Sequence, residues 1–86
     1  MALVQISYFA WVRERMGIGG EAVALPAAIT SVGAVIAWLA ARDAAGAAAF
    51  AEPAQIRAAV DGNMVGHDAG FTSTSDIALF PPVTGG

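Results

Sequence analysis

Apolar and polar positions alternate from Leu3 to Ala10, with Val4, Ile6 and Tyr8 on one side and Gln5 and Ser7 on the other. A period of two rich in β-branched and aromatic residues predicts a half-buried first strand. The pattern breaks at Trp11-Val12-Arg13-Glu14-Arg15-Met16, the densest charge cluster of the chain, which stops at Gly17 and reads as a short helical turn or loop. Glu21 to Leu25 is a second short strand that ends at Pro26 and pairs back on the first. Val32, Val35, Ile36 and Leu39 then fall at i, i+3, i+4 and i+7, one stripe of an amphipathic helix with Thr30 as its expected N-cap and Arg42 suited to the negative end of its dipole. Trp38, at the edge of that stripe, is placed to seal the helix against a loop. Asp43 to Glu52 is alanine-rich around Gly46, and its pattern is compatible with a helical extension or a loop.

Alternation resumes over Gln55 to Val60 and leads into Asp61-Gly62, a strong hairpin-turn dipeptide, before the short strand Asn63-Met64-Val65. Thr72-Ser73-Thr74-Ser75 suits a turn, and Asp76 to Phe80 forms the last strand, ended by two prolines. The expected order is β-β-α-β-β-β, with the first and last strands central. One helix laid across a mixed sheet is the economical way to bury these faces, which makes the class α+β. Residues 1–80 form the domain and 81–86 an extended tail.

Composition narrows the picture. Eighty-six residues make one small domain that buries about 60% of its unfolded surface. The hydrophobic fraction of 57% against 13% charged leaves apolar surface for a partner. A net charge of −3, with four arginines and no lysine, argues against nucleic acid. The absence of cysteine removes disulfides, thiolate nucleophiles and thiolate zinc sites. Twenty uncharged residues separate Glu21 from Arg42, but Pro26, the Thr30-Ser31 cap signal and the weakly apolar alanines argue against a membrane span. The expected location is the cytoplasm.

Side-chain chemistry is sparse. His67 is the only histidine, and with Asp68 it falls short of the three or four ligands of a zinc site, so no metal site is expected. Ser73 and Ser75 lie in a turn, and Glu14, Asp61, Asp68 and Asp76 are scattered, with no spacing that pairs two carboxylates. Gly17-Ile18-Gly19-Gly20 lacks both the G-x-G-x-x-G spacing and a P-loop lysine and reads as a turn. The main-chain carboxyl of Gly86 is the remaining reactive candidate. The run Phe80-Pro81-Pro82-Val83-Thr84-Gly85-Gly86 carries it on a stiff, polyproline-like arm that spans about 20 Å from Pro81 at about 3.3 Å per residue. Two terminal glycines, having no β-carbon, allow the carboxylate to enter a channel too narrow for any other residue type. A frayed terminus is the plainer reading of a Gly-Gly ending alone.

Tyr8-Phe9-Ala10 with Arg13-Glu14 and Gly17, Thr30-Ser31-Val32, the Ala59 to Val65 hairpin and above all Ala78 to Gly86 resemble the small subunit of molybdopterin synthase over the full length. The resemblance implies a ubiquitin-like β-grasp fold and a sulfur carrier that is non-catalytic alone. In that family the terminal glycine, here Gly86, is adenylated by an E1-like adenylyltransferase using ATP and converted to a thiocarboxylate. It then gives sulfur to cyclic pyranopterin monophosphate, building the dithiolene of molybdopterin. The implied partners are that enzyme and the large synthase subunit, in a heterotetramer of two small and two large subunits. No cofactor is implied for the chain itself. Phe9, Arg13, Met64 and Phe80 match family positions around the tail's exit, and Pro81, Pro82, Val83, Thr84 and Gly85 form the tail. Asp61, Thr74-Ser75-Asp76, His67 and Gly70 depart from the commoner family residues, all in turns. Carriers for thiamine, cysteine or tRNA thiolation, and ubiquitin-like modifiers that join Gly86 to lysines, share the activation chemistry and differ in the acceptor.

Overall fold

A computed structural model describes residues 2–82. Five strands, β1 (Ala2–Tyr8), β2 (Gly20–Leu25), β3 (Arg57–Val60), β4 (Asn63–Val65) and β5 (Asp76–Phe80), form one sheet in the order β2-β1-β5-β3-β4. β1 and β5 run parallel at its centre, and every other neighbouring pair is antiparallel. The central placing of the first and last strands is therefore as the patterning requires. Among the described residues there are three helices, α1 (Ala10–Met16), α2 (Val32–Arg42) and α3 (Ala44–Ala49), followed by a 3-10 turn at Pro53–Gln55. The expected order had α2 alone as a helix.

The two added helices have local causes. α1 buries Val12 and Met16, four residues apart on one face, while Arg13, Glu14 and Arg15 stay in water. In the alanine-rich stretch, alanine supplies the highest helix propensity, but α2 and α3 do not fuse. Asp43 is extended between them, and its Oδ1 accepts the Gly46 N–H at 2.7 Å, so it caps a new helix instead of continuing the old one. The break turns Phe50 inward, where its ring packs 6.3 Å from that of Tyr8. Gly46 lies against α2 at backbone distance: a Cβ there would run into the Leu39 carbonyl.

α2 starts one residue later than its expected cap. Ser31, not Thr30, is the N-cap, and its Oγ accepts the Ala34 N–H at 3.2 Å. The preference between two adjacent hydroxyls is set by the 66–70 loop, whose Ala69 and His67 carbonyls accept the Val32 and Gly33 N–H groups at 2.9 and 2.7 Å. His67 is half-buried, with Nε2 2.7 Å from the Ile56 carbonyl. It pins this loop over the helix start.

The core fills the single interface between sheet and helices. Val4, Ile6, Tyr8, Val23, Leu25, Ala58, Ile77 and Leu79 point inward from the strands to meet Val12, Val32, Val35, Ile36, Leu39 and Phe50. Asp61-Gly62 turns β3 into β4 with both residues at positive φ, 51° and 84°, the geometry of a two-residue hairpin loop. Asp61 also receives the Asp76 N–H on its Oδ1 at 2.9 Å, so an aspartate there ties the hairpin to the start of β5.

A polar network closes the open side of the core. The Tyr8 hydroxyl donates to Glu21 Oε2 at 2.7 Å, and Arg42 grips the same carboxylate with two N–H groups at 3.0 and 2.8 Å while its Nε donates to Asp43. Strands β1 and β2 are thereby tied to the end of α2 and the cap of α3. The Arg42 hydrogen bonds hold the Glu21 carboxyl below its ordinary range, whereas burial and then the Glu21 contact push the Tyr8 phenol well above its own. A depressed Glu21 contributes stability that is full above its unfolded value, about 4.3, and is lost as pH falls through the lower folded value. A raised Tyr8 contributes stability that is full below about 10 and is lost as pH rises through the folded value. Melting temperature against pH is therefore expected to show a plateau between these limits. Glu21→Gln should make the acid limb shallower, and Tyr8→Phe should do so for the alkaline limb. Gly46→Ala is expected to cost about 1–3 kcal/mol in chemical denaturation, because α2 and α3 must move apart.

Candidate functional site

The parallel register of the central strands decides what surrounds the tail. Tyr8 lies opposite Leu79, both inward, and the Phe9 N–H continues the ladder by donating to the Leu79 carbonyl at 3.2 Å. Phe9 is therefore level with Phe80. Alternation turns Phe9 away from the core, and it is 50% exposed. Phe80 is half-buried and faces the same way as Phe9, opposite to Leu79. Ala10 takes a φ of 52°, a left-handed value unusual for a residue with a Cβ, and the chain leaves β1 for α1 at that point.

On the far side of β5, Phe80 pairs with Arg57, whose side chain shares its face and is exposed. On the near side, α1 sends the Arg13 guanidinium along Gly19, where a Cβ would meet its Nε at 3.3 Å. Arg13 and Gly19 also line a shallow open depression with Ala10, Glu14, Gly17 and Ile18. Along this end of the sheet the order is thus Arg13, Phe9, Phe80, Arg57. Met64 stands on the same outer face, paired through Ala59 on β3, and is 64% exposed. Pro81 and Pro82 are half-buried as the chain leaves β5. Val83, Thr84, Gly85 and Gly86 lie outside the described residues.

Phe9, Arg13, Phe80, Pro81 and Pro82 are accordingly gathered at one end of the sheet, with Met64 farther along the outer face. Arg57 was missed by sequence reasoning. Its outward position follows from the alternation of β3, but its nearness to the exit depends on β3 pairing with β5. The Tyr8, Glu21 and Arg42 network was also missed, since the residues are far apart in the chain. Among the described residues no group of three His, Cys, Asp or Glu side chains forms a metal-binding cluster. No helix of the described chain is long and apolar enough to cross a membrane.

The strand order, the parallel central pair and the helices on one face define a ubiquitin-like β-grasp protein. Residues 6–86 match the ThiS family model, and the chain belongs to the ThiS family. It is 34% identical over 84 residues to the molybdopterin synthase sulfur carrier subunit of Escherichia coli, an alignment that covers 98% of this chain and all of that protein. A putative molybdopterin converting factor, subunit 1, from Pyrococcus furiosus superposes with a TM-score of 0.77 at 26% identity, covering 96% of this chain and 100% of that one. The small archaeal modifier protein 1 of Methanosarcina acetivorans shares the fold, with a TM-score of 0.72 at 23% identity over 100% and 98% of the two chains.

Phe9 and Met64 are exposed, whereas Tyr8 is buried in the core. Phe9→Ala and Met64→Ala are each expected to change stability by no more than about 0.5 kcal/mol. Tyr8→Ala, one residue from Phe9 but buried, should cost about 3–5 kcal/mol. Urea denaturation of the three variants measures the contrast.

Proposed function

We propose that the protein is the sulfur-carrier small subunit of a molybdopterin synthase, with Gly86 as the group that carries sulfur. The observation that carries this reading is the exit itself. The central strand β5 hands the chain to Pro81-Pro82 beside an outward Phe9, ahead of Val83-Thr84-Gly85-Gly86. Its support is a near full-length relative that bears that function in its name.

The chemistry asks little of the domain. An α-carboxylate has a pKa of about 3.5 and is ionised at neutral pH, which makes it a poor acyl electrophile. In the proposed sequence the Gly86 carboxylate attacks the α-phosphate of ATP on an E1-like adenylyltransferase and pyrophosphate leaves. A sulfide donor then displaces AMP from the acyl carbon, leaving a thiocarboxylate. Tethered to the tail, that sulfur is delivered at high effective concentration inside the large subunit. As the sulfur forms its bond to a side-chain carbon of cyclic pyranopterin monophosphate, an oxygen substituent leaves that carbon, and water then cleaves the acyl–sulfur bond and restores the carboxylate. Each tail delivers one sulfur, so a dithiolene consumes two loaded carriers, in keeping with a heterotetramer of two small and two large subunits. The larger partners supply the catalytic groups and hold ATP and the pterin, and the chain itself binds no cofactor. Phe9, Arg13, Met64 and Phe80 form the docking surface, and the assembly works in the cytoplasm.

The thiocarboxylate form, incubated with a molybdopterin synthase large subunit and the pyranopterin precursor, is expected to yield molybdopterin. Its absence would refute the assignment, and isopeptide-linked products in cells as the only fate of Gly86 would favour a protein modifier. Deletion of Gly86, or one residue added after it, should abolish sulfur transfer and leave the melting temperature nearly unchanged. A large loss of thermal stability on deletion would count against the proposal that Gly86 acts in transfer alone.

A further inference from the structure

Arg57 lies beside the exit on the β3 side, while Arg13 lies along Gly19 on the α1 side. It is exposed, opposite Phe80 in the ladder, and on the outer face of the sheet. Among the described residues the two ion pairs both belong to Arg42, which takes Glu21 and Asp43. Neither pair uses the guanidinium of Arg57, in a chain whose formal net charge is −3. An exposed cation next to half-buried Phe80 therefore has no role in the folding described above.

Resting on the carrier reading, we propose that Arg57 is a docking residue whose guanidinium meets a carboxylate on the rim of the large subunit's tail channel. Together with Arg13 it brackets Phe9 and Phe80, so that an apolar centre is flanked by two cations. That arrangement fits a partner with an apolar seat between acidic edges. The reacting carboxyl is not the target. A tail extended from Pro81 carries Gly86 about 20 Å away, which leaves Arg57 at the mouth while sulfur is transferred deep inside. Arginine also suits the position chemically. Its guanidinium keeps its charge and pairs with carboxylates in a planar fork.

A rim charge acts on encounter and on its salt dependence more than on the chemistry that follows. The test measures association of the full-length thiocarboxylate carrier with the large subunit by stopped flow, from low to high ionic strength, alongside steady-state molybdopterin formation. Arg57→Glu is expected to slow association roughly tenfold at low salt and to flatten or invert its salt dependence, and Arg57→Ala to lie between it and the parent. Arg57→Lys should retain most of the rate. In each variant the apparent KM for the carrier should rise while kcat and the melting temperature stay near those of the parent. Unchanged association and salt dependence in a folded Arg57→Glu protein, with the parent active, would overturn the role of Arg57 alone. A parent protein that neither binds the large subunit nor yields molybdopterin would overturn the carrier reading and this inference with it. A fall in kcat at saturating carrier would also exclude a docking role.

Discussion

The parallel pairing of β1 with β5 is the constraint on which the rest of the structure depends. It joins the first and last elements of the chain, so nearly the whole sequence must be wrapped into the connection between them. Parallel strands need such a crossover, and α2 supplies the helix that covers the inner face. Because β1 and β5 point the same way, their ends coincide. Phe9 and Phe80 come level, and the path toward Val83 begins at the centre of the sheet instead of at an edge. An antiparallel pairing of these strands would have put the end of β5 beside the start of β1, at the opposite end from Phe9 and α1.

The two faces of the sheet are unequal, and this division separates stability from recognition. Inward residues such as Ile6, Leu79 and Tyr8 meet the helices and are almost completely covered. Outward residues on the same strands have no second layer, which leaves Leu3, Phe9 and Met64 among the large apolar side chains in water. Exposed hydrophobic groups on a small domain mark surfaces that a partner covers. The Arg42 network keeps the covered side closed. One guanidinium satisfies carboxylates from β2 and the α2–α3 junction, while the Tyr8 hydroxyl, which would otherwise be buried without a partner, shares Glu21. An apolar core and a satisfied polar seam together complete the fold on one side of the sheet and leave the other face open.

Much of this architecture is legible in the sequence. Period-two runs located β1 and β3, Pro26 and the double proline bounded β2 and β5, the Val32 to Leu39 stripe located α2, and Asp61-Gly62 located the tightest turn, because in each case the signal is carried by neighbours in sequence. The Thr30 cap was off by one because two hydroxyls are adjacent and the contacts that decide between them come from His67 and Ala69. α1 and α3 were uncertain for a similar reason. Six or seven residues are too few for a periodic signal, and helices that short form only when packing supports them.

The sequence by itself determined the class of fold, the inward and outward sets of the first strand, the chemical quietness of the side chains and the Phe-Pro-Pro run, since all of these depend on residue type and local spacing. Tertiary structure alone decided that Glu21 meets Arg42 and Tyr8, that Ser31 caps α2, and that Arg57 stands beside Phe80. Those contacts depend on strand order and register. Register is set by how the buried faces of the whole chain fit together, and no single stretch of sequence contains it.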